Sequence, residues 1–394
     1  MKKIILTGLL ILFVVNFVSA SEVEPSAQGQ EPSAQGQEPS AYGEKPSTHK
    51  QELPEGMVNP GFYNKPDWFK QSFLDLQDDL DDANENNKHI LLYFHQDGCP
   101  YCKKLLNDNF TRMDIIAKMK QHFDVLEVNM WGDKSVTTIA GEELSEKEFA
   151  RQMKVMFTPT LIALDKKGLP EFRMNGYYAP DKFSAVLDYL LLEPENSSSI
   201  MPEKTARKHP GFNEYYRQQT QSVPGKGKKM TVTGLHTEKF VYMGNDFQTL
   251  INTSSKPIMI LFEQNNCSEC DELHGDIFRR LPVYKKLREF AIAQIDINSA
   301  DEIIAPDGQT MSQEELAKKL NIQYAPSILF YENGNNSDKK PIFRSEAYLK
   351  SFHVQALLDY ISSRAYLSEP EFQRFVQGRA EKMRAEGVAI ELWE

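Results

Sequence analysis

Lys88-His-Ile-Leu-Leu-Tyr-Phe-His-Gln-Asp-Gly-Cys-Pro-Tyr-Cys102 is the most informative stretch of this 394-residue chain. It begins with a short, continuous apolar run, which is typical of a strand buried on both faces of a sheet. A turn leads to a Cys-x-x-Cys pair (CxxC), after which Leu105, Leu106 and Phe110 form an apolar stripe at helical spacing. The stretch predicts a buried strand that turns into a helix with two cysteines at its N-terminus.

The same pattern returns once, which makes the chain a tandem repeat. Pro257-Ile-Met-Ile-Leu-Phe262 leads to Cys267-Ser-Glu-Cys270, and Cys267 lies 168 positions after Cys99. Further matches at nearly the same offset are Gly141 with Gly308, Ser145 with Ser312, Ala150 with Ala317, and Pro159 with Pro326. A period this long indicates two copies of one domain, each with its own core, and excludes a solenoid of short repeats.

Each copy predicts the same order of elements. After the CxxC helix comes a second apolar strand, Val125–Met130 in copy 1 and Ala291–Ile297 in copy 2, and a Ser-x-x-Glu capping box then opens another helix. A later strand enters through Pro159 or Pro326, and a hairpin strand and a last helix close the copy. This order predicts the α/β class, as two tandem α/β sandwiches with mixed central sheets.

Composition limits the possible partners. The chain has 45 Lys plus Arg against 56 Asp plus Glu, a formal net charge of −11, which argues against nucleic acid and anionic lipid. With 40% hydrophobic and 26% charged residues, it is neither a multi-span membrane protein nor wholly disordered. The predicted segments are a signal peptide (1–20), a disordered Pro/Ser/Gln/Gly repeat spacer (21–55), domain 1 (56–192), a linker (193–243), domain 2 (244–366) and a C-terminal helical extension (367–394).

The N-terminal segment has the pattern of an export signal. Lys2 and Lys3 precede the apolar stretch Ile4–Val18, and Val18-Ser19-Ala20 fits a small-residue cleavage site. An uncleaved anchor is the alternative, but a spanning helix needs roughly 17–25 apolar residues and this stretch is at the short end. We therefore expect cleavage near Ala20 and a periplasmic or secreted protein, in a compartment where disulfides persist.

All four cysteines belong to the two CxxC pairs. Covalent haem needs a histidine directly after such a pair, and neither pair has one. Four-cysteine zinc sites place their pairs ~15–20 residues apart, whereas these pairs lie in different copies. A purely structural disulfide would close too short a loop to add much stability. Dithiol–disulfide redox chemistry is the interpretation that remains for the two pairs.

The position of each cysteine assigns its role in that chemistry. Cys99 and Cys267 lie at helix N-termini, where free N–H groups and the helix dipole stabilise a thiolate, so they are the predicted attacking residues. Cys102 and Cys270 lie three residues on, on the same helical face, and can resolve a mixed disulfide.

Each copy resembles a thioredoxin-fold domain, over about 86–192 and 255–363. The resemblance rests on the CxxC after a buried strand together with Thr158-Pro159-Thr160 and Ala325-Pro326-Ser327 at the start of a later strand. It implies that Pro159 and Pro326 follow cis peptide bonds and that the backbone there, with Thr158 and Ala325, binds the substrate chain. Copy 1 is most similar to exported thioredoxins of the SoxW type, through Gly98–Lys103, Gly141–Ser145 and Gly176–Pro180.

Both copies depart from the thioredoxins at one position. Cytoplasmic thioredoxins carry a buried aspartate six residues before the first cysteine, where this chain has Tyr93 and Leu261. His95 and Glu263, four residues before the first cysteine, are the candidates to replace that proton acceptor, although an ordinary strand-end role is favoured for His95. Glutathione dependence is rejected because no Gly-Gly pair follows Pro159.

The predicted function is an exported thiol–disulfide oxidoreductase that reduces protein disulfides. Its partners would be protein thiol or disulfide substrates and a membrane or periplasmic electron donor, with no nucleic acid and no cofactor. A disulfide oxidase or isomerase is the runner-up. The alternative outside enzymes is a non-enzymatic peptide-binding protein whose second CxxC is structural. A copper or zinc carrier ranks third, because only His274 lies near a pair and we expect it on the exposed face of its helix.

The residues around the two pairs predict unequal sites. Lys103 and Lys104 follow the first pair and favour a thiolate there. Glu269 lies inside the second pair and Asp271 and Glu272 follow it, so they disfavour one. The first site is therefore expected to have the lower thiol pKa and the higher redox potential.

Overall fold

A computed structural model describes residues 65–192, 211–221, 234–334 and 339–390. The expected signal peptide and spacer lie outside these residues, as do residues 193–210 and 222–233 of the expected linker. Both copies belong to one compact unit. Within the described ranges, no helix combines the length and the apolar character that crossing a bilayer would require.

Copy 1 contains five α-helices and six strands among these residues. In chain order they are α1 (Leu76–Glu85), β1 (His89–His95), α2 (Pro100–Asp108), α3 (Met113–His122), β2 (Phe123–Asn129), β3 (Ser135–Thr137), β4 (Glu143–Ser145), α4 (Glu146–Gln152), β5 (Thr160–Leu164), β6 (Pro170–Gly176) and α5 (Pro180–Leu190). β1 is parallel to β2 and antiparallel to β5, and β5 is antiparallel to β6. Strands β3 and β4 form a separate hairpin.

Copy 2 repeats this plan after a helix that lies between the copies, α6 (Phe212–Gln221). Its elements are β7 (Val241–Tyr242), α7 (Phe247–Thr253), β8 (Ile258–Glu263), α8 (Ser268–Gly275), α9 (Leu281–Leu287), β9 (Ala291–Asp296), β10 (Glu302–Ile304), β11 (Thr310–Ser312), α10 (Gln313–Lys319), β12 (Ser327–Tyr331), β13 (Phe343–Ser345), β14 (Ala347–Tyr348), α11 (Ser351–Ser362) and α12 (Phe372–Ala385), with 3-10 turns at Ile277–Arg279 and Ala365–Leu367. β8 is parallel to β9 and antiparallel to β12, which is antiparallel to β13. The predicted α/β class with two mixed central sheets is confirmed.

The first strand of copy 1 shows why its sequence is a continuous apolar run. Alternate side chains of a strand point to opposite faces. Leu91 and Tyr93 pack in the core beneath α2, α3 and α5. Ile90, Leu92 and Phe94 pack in a second core beneath α1 and α4. Because helices cover both faces of the sheet, the residues on both sides of β1 are buried and apolar. The end of β1 leads into the turn before α2.

The predicted capping boxes form in both copies. The Ser145 hydroxyl accepts the backbone N–H of Glu148, whose carboxylate accepts the backbone N–H of Ser145. Ser312 and Glu315 make the same pair of bonds. These bonds satisfy free N–H groups of the first turn, so α4 and α10 begin at equivalent places.

The two copies are joined by backbone pairing and by shared cores. Strand β14 of copy 2 pairs in parallel with the end of β6 in copy 1, with Ala347 opposite Asn175. Tyr324 of copy 2 is buried in the core of copy 1, and Phe157 of copy 1 is buried in the core of copy 2. The sequence predicts separate cores, whereas the structure exchanges large aromatic side chains between them, and such side chains bury the most apolar area per residue.

Candidate active site

Each CxxC begins a helix with its first cysteine as the N-cap. The Sγ atom of Cys99 accepts the backbone N–H of Cys102 at 3.0 Å, at the start of α2. The Sγ atom of Cys267 accepts the backbone N–H of Cys270 at 3.1 Å, at the start of α8. An N–H group and the positive end of the helix dipole therefore face the sulfur, which favours its thiolate when the pair is reduced.

Both pairs are closed as disulfides. The Sγ–Sγ distance is 2.08 Å for Cys99–Cys102 and 2.09 Å for Cys267–Cys270. All four cysteines of the sequence are thereby accounted for.

The predicted cis-prolines lie beside these disulfides. The peptide bonds that precede Pro159 and Pro326 are both cis. The Cys99 Sγ lies 3.4 Å from the carbonyl oxygen of Thr158, and the Cys267 Sγ lies 3.5 Å from that of Ala325. In each copy the structure brings together the two cysteines, the proline and the residue before it, which are the predicted site residues.

The first cysteine of each pair is buried. Cys99 is 5% exposed and Cys267 is 4% exposed, and Cys102 and Cys270 are buried as well. The groove beside Pro326, lined by Glu269, Tyr324 and Leu349 among others, has a volume of only about 20 Å³. Access to either sulfur pair therefore depends on what covers it.

Copy 2 covers the first site by packing against Tyr101, which is the third residue of the CxxC in copy 1. The Tyr101 Oη lies 3.3 Å from Nδ1 of His353 and accepts the backbone N–H of Lys350 at 3.2 Å. The two rings of Tyr101 and His353 meet edge to face, with centroids 5.0 Å apart. Burial lowers the pKa of His353 to about 4, so this imidazole is neutral at pH 7.

Copy 1 covers the second site by binding Glu269, which is the third residue of the CxxC in copy 2. Lys182 of α5 donates from Nζ to a Glu269 carboxylate oxygen at 3.1 Å. The same Nζ lies 4.0 Å from the ring centroid of Tyr324, and Tyr178 and Tyr216 flank it at 5.6 and 5.7 Å. Burial would raise the pKa of Glu269, but the Lys182 charge holds it below its usual range.

These two contacts are equivalent in the repeat. Tyr101 and Glu269 are both the third residue of a CxxC, and Lys182 and His353 are both the third residue of the helix that closes a copy. Each CxxC thus meets the closing helix of the opposite copy. Sequence analysis missed Lys182 and His353, because no pattern in the sequence indicates which surfaces of two repeats dock together.

The acidic residues of the second site all have partners. Besides the Lys182–Glu269 pair, Asp271 lies 2.7 Å from Nε2 of His236, and Glu272 binds Lys350. These acids therefore disfavour a thiolate at Cys267 less than their formal charges imply.

The prediction that His274 lies on an exposed helix face is wrong. His274 is fully buried, with Nε2 2.9 Å from a Glu263 oxygen and Nδ1 3.3 Å from a Glu238 oxygen. The helix turns this side chain toward β8 and toward the segment before β7, and the two carboxylates supply the partners that a buried imidazole needs. In copy 1, His95 is also buried, with Nε2 3.3 Å from Glu127, and burial lowers the pKa of His95.

Across the ranges that the structure covers, no group of three or more His, Cys, Asp or Glu side chains is arranged to hold a metal ion.

A family model described as "Thioredoxin-like domain" matches residues 76–191 and 243–362. The two matches span more than half of the chain, so the protein belongs to the thioredoxin-like domain family, with the domain present twice. This confirms the tandem thioredoxin resemblance, while the narrower similarity to SoxW-type proteins stays a prediction.

Solved structures with this fold are also similar. A thioredoxin-fold protein from Helicobacter pylori is 19% identical with a TM-score of 0.31, and the match covers 37% of this chain and 92% of that one. A thioredoxin from Thermus thermophilus is 22% identical with a TM-score of 0.25, covering 29% and 83%. A protein titled DsbH oxidoreductase is 20% identical with a TM-score of 0.24, covering 34% and 93%. A search of curated proteins found no match.

Proposed function

We propose that this protein is an exported thiol–disulfide oxidoreductase that reduces disulfides in protein substrates. The observation that carries the proposal is that one arrangement occurs twice. An N-cap cysteine is linked to the cysteine three residues on and lies within 3.5 Å of the carbonyl before a cis-proline. This arrangement supplies a stabilised thiolate, a resolving thiol and backbone groups for an extended chain.

The proposed reaction at the first site has two steps. In the reduced protein, the Cys99 thiolate attacks one sulfur of a substrate disulfide, which forms a mixed disulfide and releases one substrate thiolate. Cys102 then attacks the Cys99 sulfur, which releases the second substrate thiolate and leaves the Cys99–Cys102 disulfide. The protein loses two electrons and the substrate gains them. Backbone groups of Thr158 hold the substrate chain beside the sulfur.

Insulin reduction tests this function in the full mature chain, with dithiothreitol as electron source. The wild-type protein should accelerate insulin precipitation, and a variant with both Cys99→Ser and Cys267→Ser should not. A protein that fails here but reactivates scrambled ribonuclease would instead be an isomerase. To name the substrate, Cys102→Ser should hold the mixed disulfide, and the captured protein can be sequenced.

A peptide-binding role for copy 2 is the second candidate. It is favoured by the cover over the second site, where Cys267 is 4% exposed and Glu269 is paired with Lys182. Alkylation of the reduced protein under native conditions separates the two functions. A redox-active second site requires Cys267 to react with iodoacetamide, whereas resistance of Cys267 alone would make the second pair structural.

Export forms part of the proposal and rests on the charged start, apolar stretch and cleavage site at the N-terminus. The mature protein is expected to start near Ser21 in the periplasm or the medium, and its electron donor to lie in the membrane or periplasm. Cell fractionation with N-terminal sequencing checks the location. A full-length chain in the cytoplasm would contradict it.

The first site is expected to have the higher redox potential. Lys103 and Lys104 directly follow the first pair in the sequence, whereas three acids lie in or directly after the second pair and are compensated only in part by their partners. Stabilising a thiolate favours the dithiol form, so both potentials should fall within the ~−270 to −120 mV span of this fold with the first site higher. Glutathione titrations of Cys99→Ser and Cys267→Ser each report the remaining site. A second site that is more oxidising would overturn this order.

A further inference from the structure

Each copy is followed by a helix that lies beyond the matched thioredoxin-like residues. These are α6 after copy 1 and α12 after copy 2, and we call them the clasp helices. Their sequences begin alike, with Pro-Gly-Phe-Asn at 210–213 and Pro-Glu-Phe-Gln at 370–373. The duplicated unit of this chain is therefore a thioredoxin-like domain together with the clasp helix that follows it.

The phenylalanine of this pattern anchors each clasp helix on its own copy. Phe212 is 2% exposed, and its ring centroid lies 5.4 Å from that of Phe172 and 5.6 Å from that of Tyr189. In copy 2, the ring centroid of Phe372 lies 5.4 and 5.2 Å from those of the residues at the matching repeat positions, Phe343 and Tyr360. The two helices are held in equivalent places, because the same three aromatic positions pack together in both copies.

The residue after the anchor reaches the opposite copy. In α12, Nε2 of Gln373 donates to the backbone carbonyl of Met156 at 3.3 Å, and Oε1 of Gln373 accepts from Nε2 of Gln96 at 3.3 Å. Met156 lies two residues before Thr158, and Gln96 lies three residues before Cys99. The buried Gln373 amide therefore joins the two loops that border the first sulfur pair.

Two ring contacts strengthen the attachment of α12 to copy 1. The ring centroid of Phe372 lies 5.4 Å from that of Phe157. The Arg374 guanidinium lies 4.8 Å from the ring centroid of Trp131, whose indole N–H donates to Gln96 at 2.7 Å. Release of α12 from copy 1 therefore breaks aromatic, cation–π and hydrogen-bond contacts around the same two loops.

Helix α6 makes the reciprocal contact with copy 2. Asn213, the residue after the anchor, donates from Nδ2 to the backbone carbonyl of Ile322 at 3.4 Å. Ile322 lies three residues before Ala325, whose carbonyl lies beside the second sulfur pair. The ring of Tyr216 in the same helix flanks the Lys182 ammonium that covers this site. Each clasp helix thus belongs to one copy and binds next to the cis-proline of the other.

We propose that the clasp helices hold the two sulfur pairs closed, and that each has to release the opposite copy before a protein substrate can bind beside its cis-proline. This inference rests on the proposed function. An extended chain beside Cys99 needs backbone groups around Thr158, where Gln373 already binds the carbonyl of Met156. The substrate and α12 therefore compete for one edge of copy 1. The first site should accept protein only in the fraction of molecules in which α12 is released.

Alkylation of the full mature chain reports on each clasp separately. The reduced protein is treated with iodoacetamide at pH 7, and mass spectrometry of the peptides gives the rates at Cys99 and Cys267. Gln373→Ala should raise the rate at Cys99 at least about fivefold, the effect of losing about one net hydrogen bond from the closed state, and change Cys267 less than twofold. Asn213→Ala should raise Cys267 instead, by about twofold or more because its bond is longer. Each variant is the matched control for the other.

A second variant keeps the test decisive should Gln373→Ala fail to fold. Arg374 has a side chain that is 56% exposed, so Arg374→Ala removes the cation over Trp131 without opening a buried cavity. This variant should raise the rate at Cys99 by about twofold or more. A rise of equal size at Cys99 and Cys267 in each variant would show general loosening of the protein and would contradict the clasp.

Insulin reduction by the same proteins separates this inference from the proposed function. Gln373→Ala or Arg374→Ala should reduce insulin faster than the wild type, by the same factor as the rise at Cys99. A wild type that reduces insulin, with variants that leave the rate at Cys99 unchanged, refutes the clasp alone. Variants that change the alkylation rates as expected, in a protein that never reduces insulin, refute the proposed function and leave the closing contact established.

Discussion

Replacing Lys182 with methionine is expected to lower the free energy of unfolding by about 3–5 kcal/mol, the range for removing one partner of a buried ion pair. Lys182 is 5% exposed and joins copy 1 to Glu269 of copy 2 at 3.1 Å. Methionine keeps the length and the apolar stem of the side chain. It leaves the Glu269 carboxylate in the same place without its cation, and it removes the cation from the ring of Tyr324.

Urea denaturation measures this effect, and two further variants assign its cause. The double variant Lys182→Met/Glu269→Gln should recover most of the loss, because no unpaired charge is then buried. Lys147→Met removes one partner of an exposed pair, Lys147–Asp133, and should cost less than about 1 kcal/mol. A Lys182→Met protein as stable as the wild type would show that the pair contributes nothing to holding the copies together.

The same substitution has an expected chemical effect at the second site. Without Lys182, the negative charge of Glu269 inside the CxxC is no longer compensated, so the pKa of the Cys267 thiol should rise and its thiolate should form less readily. The first site has no such contact with Lys182, so its rate of reaction with iodoacetamide at pH 7 should change less than that of Cys267. Mass spectrometry of the alkylated peptides separates the two rates.

The position of the cysteines in both sites could be predicted from the sequence because it follows from patterns over a few neighbouring residues. A buried strand, a turn and a helix place Cys99 at a helix N-terminus whatever the rest of the chain does. The proline that opens a later strand was recognisable through the family resemblance, which also implied its cis bond and its place beside the cysteine. Duplication of the pattern then predicted the second site from the first.

The contacts by which each copy covers the site of the other could not be predicted in this way. Tyr101 and His353 are far apart in the sequence and meet only because of how two folded copies dock. The error at His274 has a related cause. A short helix with weak amphipathic character gives no sign that its histidine is buried. In the structure His274 is buried, and its partners Glu263 and Glu238 come from other elements. Patterns along one element report its own periodicity, whereas partners for buried polar groups come from the tertiary structure.

Acidification from pH 7 to pH 5 is expected to destabilise the contact between the copies at the first site by about 2 kcal/mol, through His353. Burial lowers the pKa of His353 to about 4, whereas an exposed histidine has a pKa near 6.5. The folded state therefore binds fewer protons than the open state between these values. Stability is unaffected well above pH 6.5 and is lost as the pH falls toward 4.

The measurement is the free energy of unfolding from pH 7 to 5, taken as the difference between wild type and His353→Leu. The difference is needed because other histidines titrate in the same range. The pKa of His95 is also lowered, so it acts in the same direction. The pKa of His274 is raised, so its contribution is retained on acidification and is lost only as the pH rises. Neither is altered by the substitution, so both cancel.

The same acidification should uncover the first site, because His353 lies against Tyr101 and Tyr101 belongs to the CxxC. A free-energy change of about 2 kcal/mol corresponds to roughly a thirtyfold change in the population of the open contact. The ratio of Cys99 alkylation in wild type to that in His353→Leu should therefore increase between pH 7 and pH 5. Taking the ratio cancels the dependence of alkylation on the thiolate fraction. A ratio that is constant with pH would mean that reagents reach Cys99 by a route that leaves the Tyr101–His353 contact closed.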